Sequence, residues 1–235
     1  MLHNNFIATV ITFLLALAWL RLMDFFAHRG WIESKLSRKI IHIGTGPIFV
    51  LCWLLFDQQY SARFLAALVP FATTIQFALV GLGILKDEAA VKAMSRTGVR
   101  QEILRGPLFY GIIFVLLTIL FWKDNMVGMI SLMILCGGDG LADIIGKRIP
   151  SGLLPWSRNK TWAGTTAMFM GGLLLSVVIL WIFDLAGIFQ IQWAFLLPRL
   201  LIINIIATVV EALPIADFDN ITVPVATVLA GLLLL

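Results

Sequence analysis

At 235 residues, 60% hydrophobic and only 13% charged, with a mean hydropathy of +0.99, the chain lies far from the composition of a soluble domain. Its apolar runs approach the ~20 residues a helical crossing needs, so the expected fold is all-α, a polytopic membrane bundle of about seven or eight transmembrane helices. The net charge of +4 and a pI near 9.3 do not point to nucleic acid, because the basic residues gather in short loops between apolar runs, as the positive-inside rule expects.

The first run, residues 6–23, has no Lys or Arg before it, whereas Arg21, Arg29, Lys35, Arg38 and Lys39 lie at its end and beyond. That order predicts a retained helix with its N-terminus outside, not a cleaved signal peptide. An interfacial stretch over 24–35 leads to a second span at 38–56, where Gly44, Gly46 and Pro47 are expected to kink or loosen the helix. Cys52 lies in this run and Cys136 in a later one, without paired or metal-ligand spacing. The third span covers 63–85. Lys92, Arg96 and Arg100 then recur every four residues, the pattern of a helix lying on anionic membrane lipids, while Arg105, just before Gly106-Pro107, is better placed to enter a site. Further spans lie at 107–122, 126–145, 164–183, 195–213 and 222–235. The fourth and the eighth are short, which predicts a tilted, re-entrant or extended segment for each. No repeat or long linker interrupts the chain, so 1–235 reads as one domain.

With the N-terminus outside, fourteen basic residues fall in the loops facing the cytoplasm, and only Arg63, Lys123 and Arg199 fall outside. That asymmetry fixes the expected orientation. It also collects Asp139, Asp143, Lys147, Lys160, Glu211, Asp217 and Asp219 at the cytoplasmic side.

Asp139 and Asp143 stand inside an apolar run, where charge is expensive and a functional role is the default. Four residues apart on a helix, they share one face and could hold a divalent cation; a polar helix contact or an ion relay is the alternative. Gly137, Gly138, Gly140 and Ala142 leave that face bare for a polyanion or a second backbone. Lys147, Arg148 and Lys160 favour phosphate, and carboxylates for a metal beside lysines for phosphates suggest nucleotide chemistry. The loop 150–164 is punctuated by Pro150, Gly152, Pro155 and Gly164, and a helix starting at Thr161 or Gly164 would offer backbone N–H groups to an anion, although this is no Walker A sequence. Lys35, Arg38 and His42 share a face at the entrance of the second span, with Lys39 beside them. Snorkelling accounts equally well for Lys35. His42 lies a turn inside apolar sequence and needs a partner, so it could position a hydroxyl or a phosphate, or act as a base. Glu211, near the end of the seventh span, is a candidate hydroxyl-activating base, whereas a solvated turn suits Asp217 better.

Five blocks carry a resemblance: Arg38-Lys39-Ile40-Ile41-His42-Ile43-Gly44; Arg105-Gly106-Pro107-Leu108-Phe109-Tyr110; Cys136-Gly137-Gly138-Asp139-Gly140-Leu141-Ala142-Asp143; Asn159-Lys160-Thr161-Trp162-Ala163-Gly164; and Val210-Glu211-Ala212-Leu213-Pro214 followed by Asp219-Asn220-Ile221-Thr222-Val223-Pro224. In this order they resemble the phytol kinase branch of the polyprenol kinase family, which also includes dolichol kinase and the CTP-dependent diacylglycerol kinase of yeast. The resemblance implies a kinase that moves the γ-phosphoryl of a nucleoside triphosphate, CTP ahead of UTP or ATP, onto an isoprenoid alcohol. Phytol is the expected acceptor, with geranylgeraniol and farnesol as alternatives, in phytol salvage for tocopherol and phylloquinone synthesis. It implies Mg²⁺ on Asp139 and Asp143, and nucleotide and phosphate contacts from Arg38, Lys39, Arg105, Gly138, Lys147, Asn159, Lys160, Gly164, Asp219 and Asn220. His42, Glu211 and Lys160 would be catalytic. A Ser- and Arg-rich plastid leader is not seen at the front, which makes a cyanobacterial cell or thylakoid membrane the expected setting. Other readings are a phosphatidate cytidylyltransferase or lipid (diacylglycerol) kinase and, in another class, an ion-coupled transporter, whose paired interrupted helices are not evident.

Overall fold

The protein, represented by a computed structural model, is described over residues 4–95, 97–214 and 218–235, so Arg96 and Asp217 lie outside the described residues. In chain order the helices are α1 (Asn5–His28), α2 (Ser34–Cys52), α3 (Ala62–Leu82), α4 (Glu88–Met94), α5 (Gly106–Leu120), α6 (Met126–Met133), α7 (Gly140–Arg148), α8 (Trp162–Leu185), α9 (Trp193–Glu211) and α10 (Asp219–Leu234). A wide π turn, Ile134–Asp139, joins α6 to α7 as one continuous helical column. Among the described residues no strand forms, and Leu153 and Thr161 make an isolated antiparallel bridge. Among the described residues seven helical stretches are long and apolar enough to cross a membrane; α10, at 16 residues, is a shorter apolar helix. The protein is thus an all-α polytopic membrane bundle.

Local chemistry explains where the elements depart from the sequence-based expectation. The first helix runs on to His28 and replaces the expected interfacial stretch over 24–28, because no breaker precedes Gly30, which takes the left-handed φ of +72°. Pro47 sits inside α2 without ending it. The expected basic stripe does not form on one helix: α4 stops at Met94, Ser95 is extended, and Arg100 opens a separate 3₁₀ turn, Arg100–Leu104. That turn lengthens the fourth span to 21 residues, Arg100–Leu120, so its shortness in sequence is removed. Asn4, Asp87, Asn125 and Thr161 cap α1, α4, α6 and α8 with side-chain oxygens.

The column Met126–Arg148 is the centre of the bundle. Its most apolar window is 72% buried, against 39% or less for every other span. Against it α8 crosses at backbone distance: a Cβ on Gly137 would meet the Gly171 carbonyl at 2.8 Å, and one on Gly171 would meet the Gly137 carbonyl at 2.5 Å. Small residues replace hydrophobic burial as the source of tight helix contact in lipid. Gly171→Ala is therefore expected to lower the thermal midpoint of the purified protein, at a cost of about 1–3 kcal/mol. An unchanged midpoint would mean that the crossing is looser than this geometry.

At the opposite end from the site, Arg63 pairs with Asp124 and donates to the Ile119 carbonyl at 3.1 Å. Lys123 donates to the carbonyls of Phe56 and Asp57, both at 3.0 Å. Burial pushes the Lys123 ammonium below its ordinary pKa against the pull of Asp57 and Asp124. These bonds staple the turn before α3 to the turn before α6, and Trp53 packs on Trp122 at 4.8 Å between them.

Candidate active site

A cavity of about 1250 Å³ opens at the basic end of the bundle, bounded by α2, α5, α7, the loop before α8, the end of α9 and the start of α10. Asp139 is the last residue of the π turn and, unlike the buried residues before it, is partly exposed and lines the cavity; such turns commonly mark functional sites. The Asp139 carboxylate lies 3.4 Å from Nε2 of His42. Glu211 closes α9 and is 3% exposed. Asp219 stands in the first turn of α10, where the helix dipole favours an anion. Lys160 binds both, reaching Asp219 at 2.9 Å and pairing with Glu211. Burial works to lower the Lys160 pKa, but Glu211 and then Asp219 outweigh it and hold the ammonium above its usual value.

One carboxylate oxygen from each of Asp139, Glu211 and Asp219 lies within 4.8 Å of the other two. Three converging hard oxygen donors fit a cation such as Mg²⁺. Asp143, one turn beyond Asp139, faces Lys39 at 3.2 Å and Lys147 at 2.5 Å. The acidic pair of the sequence therefore divides: Asp139 joins carboxylates from distant helices, and Asp143 joins two lysines.

Arg38, Lys39, His42, Arg105, Asp139, Asp143, Lys147, Asn159, Lys160, Gly164, Glu211, Asp219 and Asn220 all line this one cavity. Gly138 does not; a Cβ there would run into the Met168 sulfur at 2.6 Å, so this glycine serves the contact with α8. Lys35 is exposed and outside the lining, as snorkelling would have it. Some polar groups are already engaged within the fold. The Arg38 guanidinium donates to the Ser95 carbonyl at 2.5 Å, and the Asn220 amide donates to the Gly106 carbonyl at 3.0 Å, tying α10 to the start of α5. The first-turn N–H groups of α8 are engaged too: Trp162 donates to the Gly152 carbonyl, Ala163 to the Ser151 hydroxyl and Gly164 to the Thr161 hydroxyl. The helix start expected to offer these N–H groups to an anion thus has them bonded within the fold.

Tyr110 and Trp156 are among the lining residues to which sequence pattern assigns no role. The Trp156 indole donates to the Ala212 carbonyl at 3.0 Å and so fixes the loop against the end of α9. Tyr110 donates to the His42 carbonyl at 3.0 Å, lies 3.1 Å from the Cys136 sulfur, and packs its ring 4.4 Å from the His42 ring. It is one of only two tyrosines in the chain. A phenol in an apolar run needs a hydrogen-bond partner, and that was the available signal.

No family model matches the chain. No solved structure matches it either. Among curated proteins it is similar to a "probable phytol kinase, chloroplastic" of Triticum aestivum, 42% identical over 229 residues, 97% of this chain and 76% of that one. A "probable phytol kinase 1, chloroplastic" of Oryza sativa subsp. japonica is 42% identical over 97% of this chain and 73% of its own. The "phytol kinase 1, chloroplastic" of Arabidopsis thaliana is 40% identical over 207 residues, 87% of this chain and 68% of that one.

Proposed function

The chain belongs to the phytol kinase family, and from that premise we propose that residues 1–235 act as one membrane-embedded kinase domain that moves the γ-phosphoryl of CTP, ahead of UTP or ATP, to the hydroxyl of phytol. The phytyl monophosphate so formed would feed tocopherol and phylloquinone synthesis. The observation that carries the reading is the meeting of Asp139, Glu211 and Asp219 around Lys160, in a cavity that also holds His42, Lys39, Arg105 and Lys147.

Phosphoryl transfer needs charge neutralisation and alignment more than covalent help. Asp139 is the metal ligand of choice, because it belongs to the three-carboxylate group, whereas Asp143 is engaged by Lys39 and Lys147. Mg²⁺ bound there would neutralise charge on the β- and γ-phosphates. Lys160, Lys147 and Arg105 balance the charge that develops during transfer, while Arg38, Lys39 and Asn159 border the space for the rest of the nucleotide. His42 is favoured over Glu211 as the group that holds the hydroxyl and accepts its proton. It faces Asp139 as a base faces an orienting carboxylate, whereas Glu211 is buried and engaged by Lys160.

Incubating purified protein and Mg²⁺ with each nucleoside triphosphate and a panel of phytol, geranylgeraniol, farnesol and diacylglycerol tests the assignment by product mass. Phytyl monophosphate, formed fastest with CTP, is the expected product. Phosphatidate alone would make the protein a diacylglycerol kinase, and ion-coupled flux in vesicles without turnover would make it a transporter.

The polar mouth is proposed to face the cytoplasm. The support is the loop charge count. Cysteines placed at Lys92 and at Ser151, both exposed, should react with an impermeant thiol reagent only from the cytoplasmic side, and one at Gln59 only from the other. The native Cys52 and Cys136 are buried and should stay silent. Reaction of all three from one face would refute the threading.

A further inference from the structure

The cavity does not stop at its charged end. It continues as an apolar arm between α1, α2, α3 and α5, whose lining includes Ala16, Leu20, Phe49, Thr73, Phe77 and Phe114. We propose that this arm seats the isoprenoid chain of the acceptor, that Phe49 and Phe114 form its floor, and that the chain passes from it into the bilayer between α1 and α3, beside Leu20 and Phe77. The inference rests on the kinase reading and adds to it the acceptor's place and the residues that sense its length.

The arm is continuous with the phosphate end. Tyr110 stands at the junction: its ring lies 4.4 Å from the His42 ring on one side and 4.5 Å from the Phe114 ring on the other. An alcohol whose hydroxyl meets His42 therefore has its first carbons against Tyr110 and its chain directed into the arm. The arm also has a floor. Phe49 and Phe114 meet at 5.8 Å and are 4% and 2% exposed, so it ends in packed core.

The length of the acceptor sets its route. Seven residues of α2 separate His42 from Phe49, a rise of about 10 Å. A linear chain of about sixteen carbons, at ~1.2 Å per bond, extends to roughly 19 Å. Such a chain cannot end between His42 and the floor, so it must bend out sideways. The opening for it lies where α1 and α3 part. Near the far end of the bundle they touch, with the Thr9 hydroxyl on the Leu65 carbonyl at 3.3 Å, whereas Ala16, Leu20, Thr73 and Phe77 are cavity lining and at the same time partly exposed. A second apolar cleft, about 250 Å³ beside Trp162, Phe169 and Ile205, has no charged residue in its lining and offers a hydroxyl nothing to react with.

Thr73→Trp and Ala16→Trp, made separately, narrow this exit from opposite helices. Each is expected to lower kcat/KM for phytol about tenfold or more, while geraniol, short enough to end above the floor, changes by less than about threefold and the KM for nucleotide stays put. A diazirine-bearing phytol analogue supplies a readout that needs no turnover: irradiated on the wild-type protein, it should mark peptides containing Leu20 or Phe77, and excess phytol should compete. If wild type phosphorylates phytol but both tryptophan variants treat the two alcohols alike, or if the adducts map to the cleft beside Trp162, the arm is not the chain's seat. If wild type phosphorylates no alcohol at all, the kinase reading fails, and the crosslinks alone decide the occupancy of the arm. They also decide it should either tryptophan variant fail to fold.

Discussion

Asp139→Asn is expected to reduce turnover on the order of a thousandfold while leaving the protein inserted and folded. The change removes one negative charge at constant volume from the one carboxylate that faces both the acidic cluster and His42. Losing a preorganised group that acts on transition-state charge costs ~10²–10³ in rate, and here the same residue also orients the proposed base. Two measurements separate this from damage to the fold. The thermal midpoint without Mg²⁺ should move little, and the stabilisation that Mg²⁺ gives the wild type should disappear. Retained activity at ordinary Mg²⁺ would remove Asp139 from the site.

Lys160→Met should be the most destabilising single change in the cavity, costing about 3–5 kcal/mol as the penalty for breaking a buried ion pair from one side. The Lys160 side chain is 22% exposed, and it holds together Glu211, 4% exposed at the side chain, and Asp219. Without it, Glu211 and Asp219 lose the ammonium they share, and their carboxylates and that of Asp139 repel one another more strongly. Added Mg²⁺ should therefore raise the midpoint of the variant by more than it raises that of wild type, because a ligand that binds only the folded state stabilises by mass action. An equal Mg²⁺ effect on both proteins would count against a cation site among these three carboxylates. In the wild type the pKa of Lys160 is raised, so its contribution to stability is complete below the ordinary lysine value of about 10.4 and is lost only as pH climbs past the higher folded value. Across neutral pH the lysine should thus impose no slope on stability.

These predictions depend on contacts that the sequence displayed unevenly. Apolar run lengths located the spans, and the cost of intramembrane charge singled out Asp139, Asp143 and His42, because both signals are local and strong. The pairing of Lys160 with Glu211 and Asp219 joins positions 51 and 59 residues apart, and no periodicity within one element can report it. Helical spacing put Asp143 beside Asp139, but which partners each would find depended on the π turn, on where α2 begins and on where α9 ends. The bare face at Gly138 reads as room for a polyanion or a second backbone, and α8 is what packs there, since spacing alone does not distinguish a ligand from a backbone. Asn220 and the start of α8 show the same ambiguity for hydrogen bonds: the groups were located, but their partners within the fold were not visible from composition or spacing.

The most direct test of the account tracks the phosphorus atoms. Purified wild-type protein is given phytol and CTP labelled at either the α- or the γ-phosphate, in parallel with Asp139→Asn. The account predicts that only the γ label enters the lipid, as phytyl monophosphate, and that the variant transfers almost none. The α label appearing in a lipid product, or γ transfer that survives in Asp139→Asn, would contradict it.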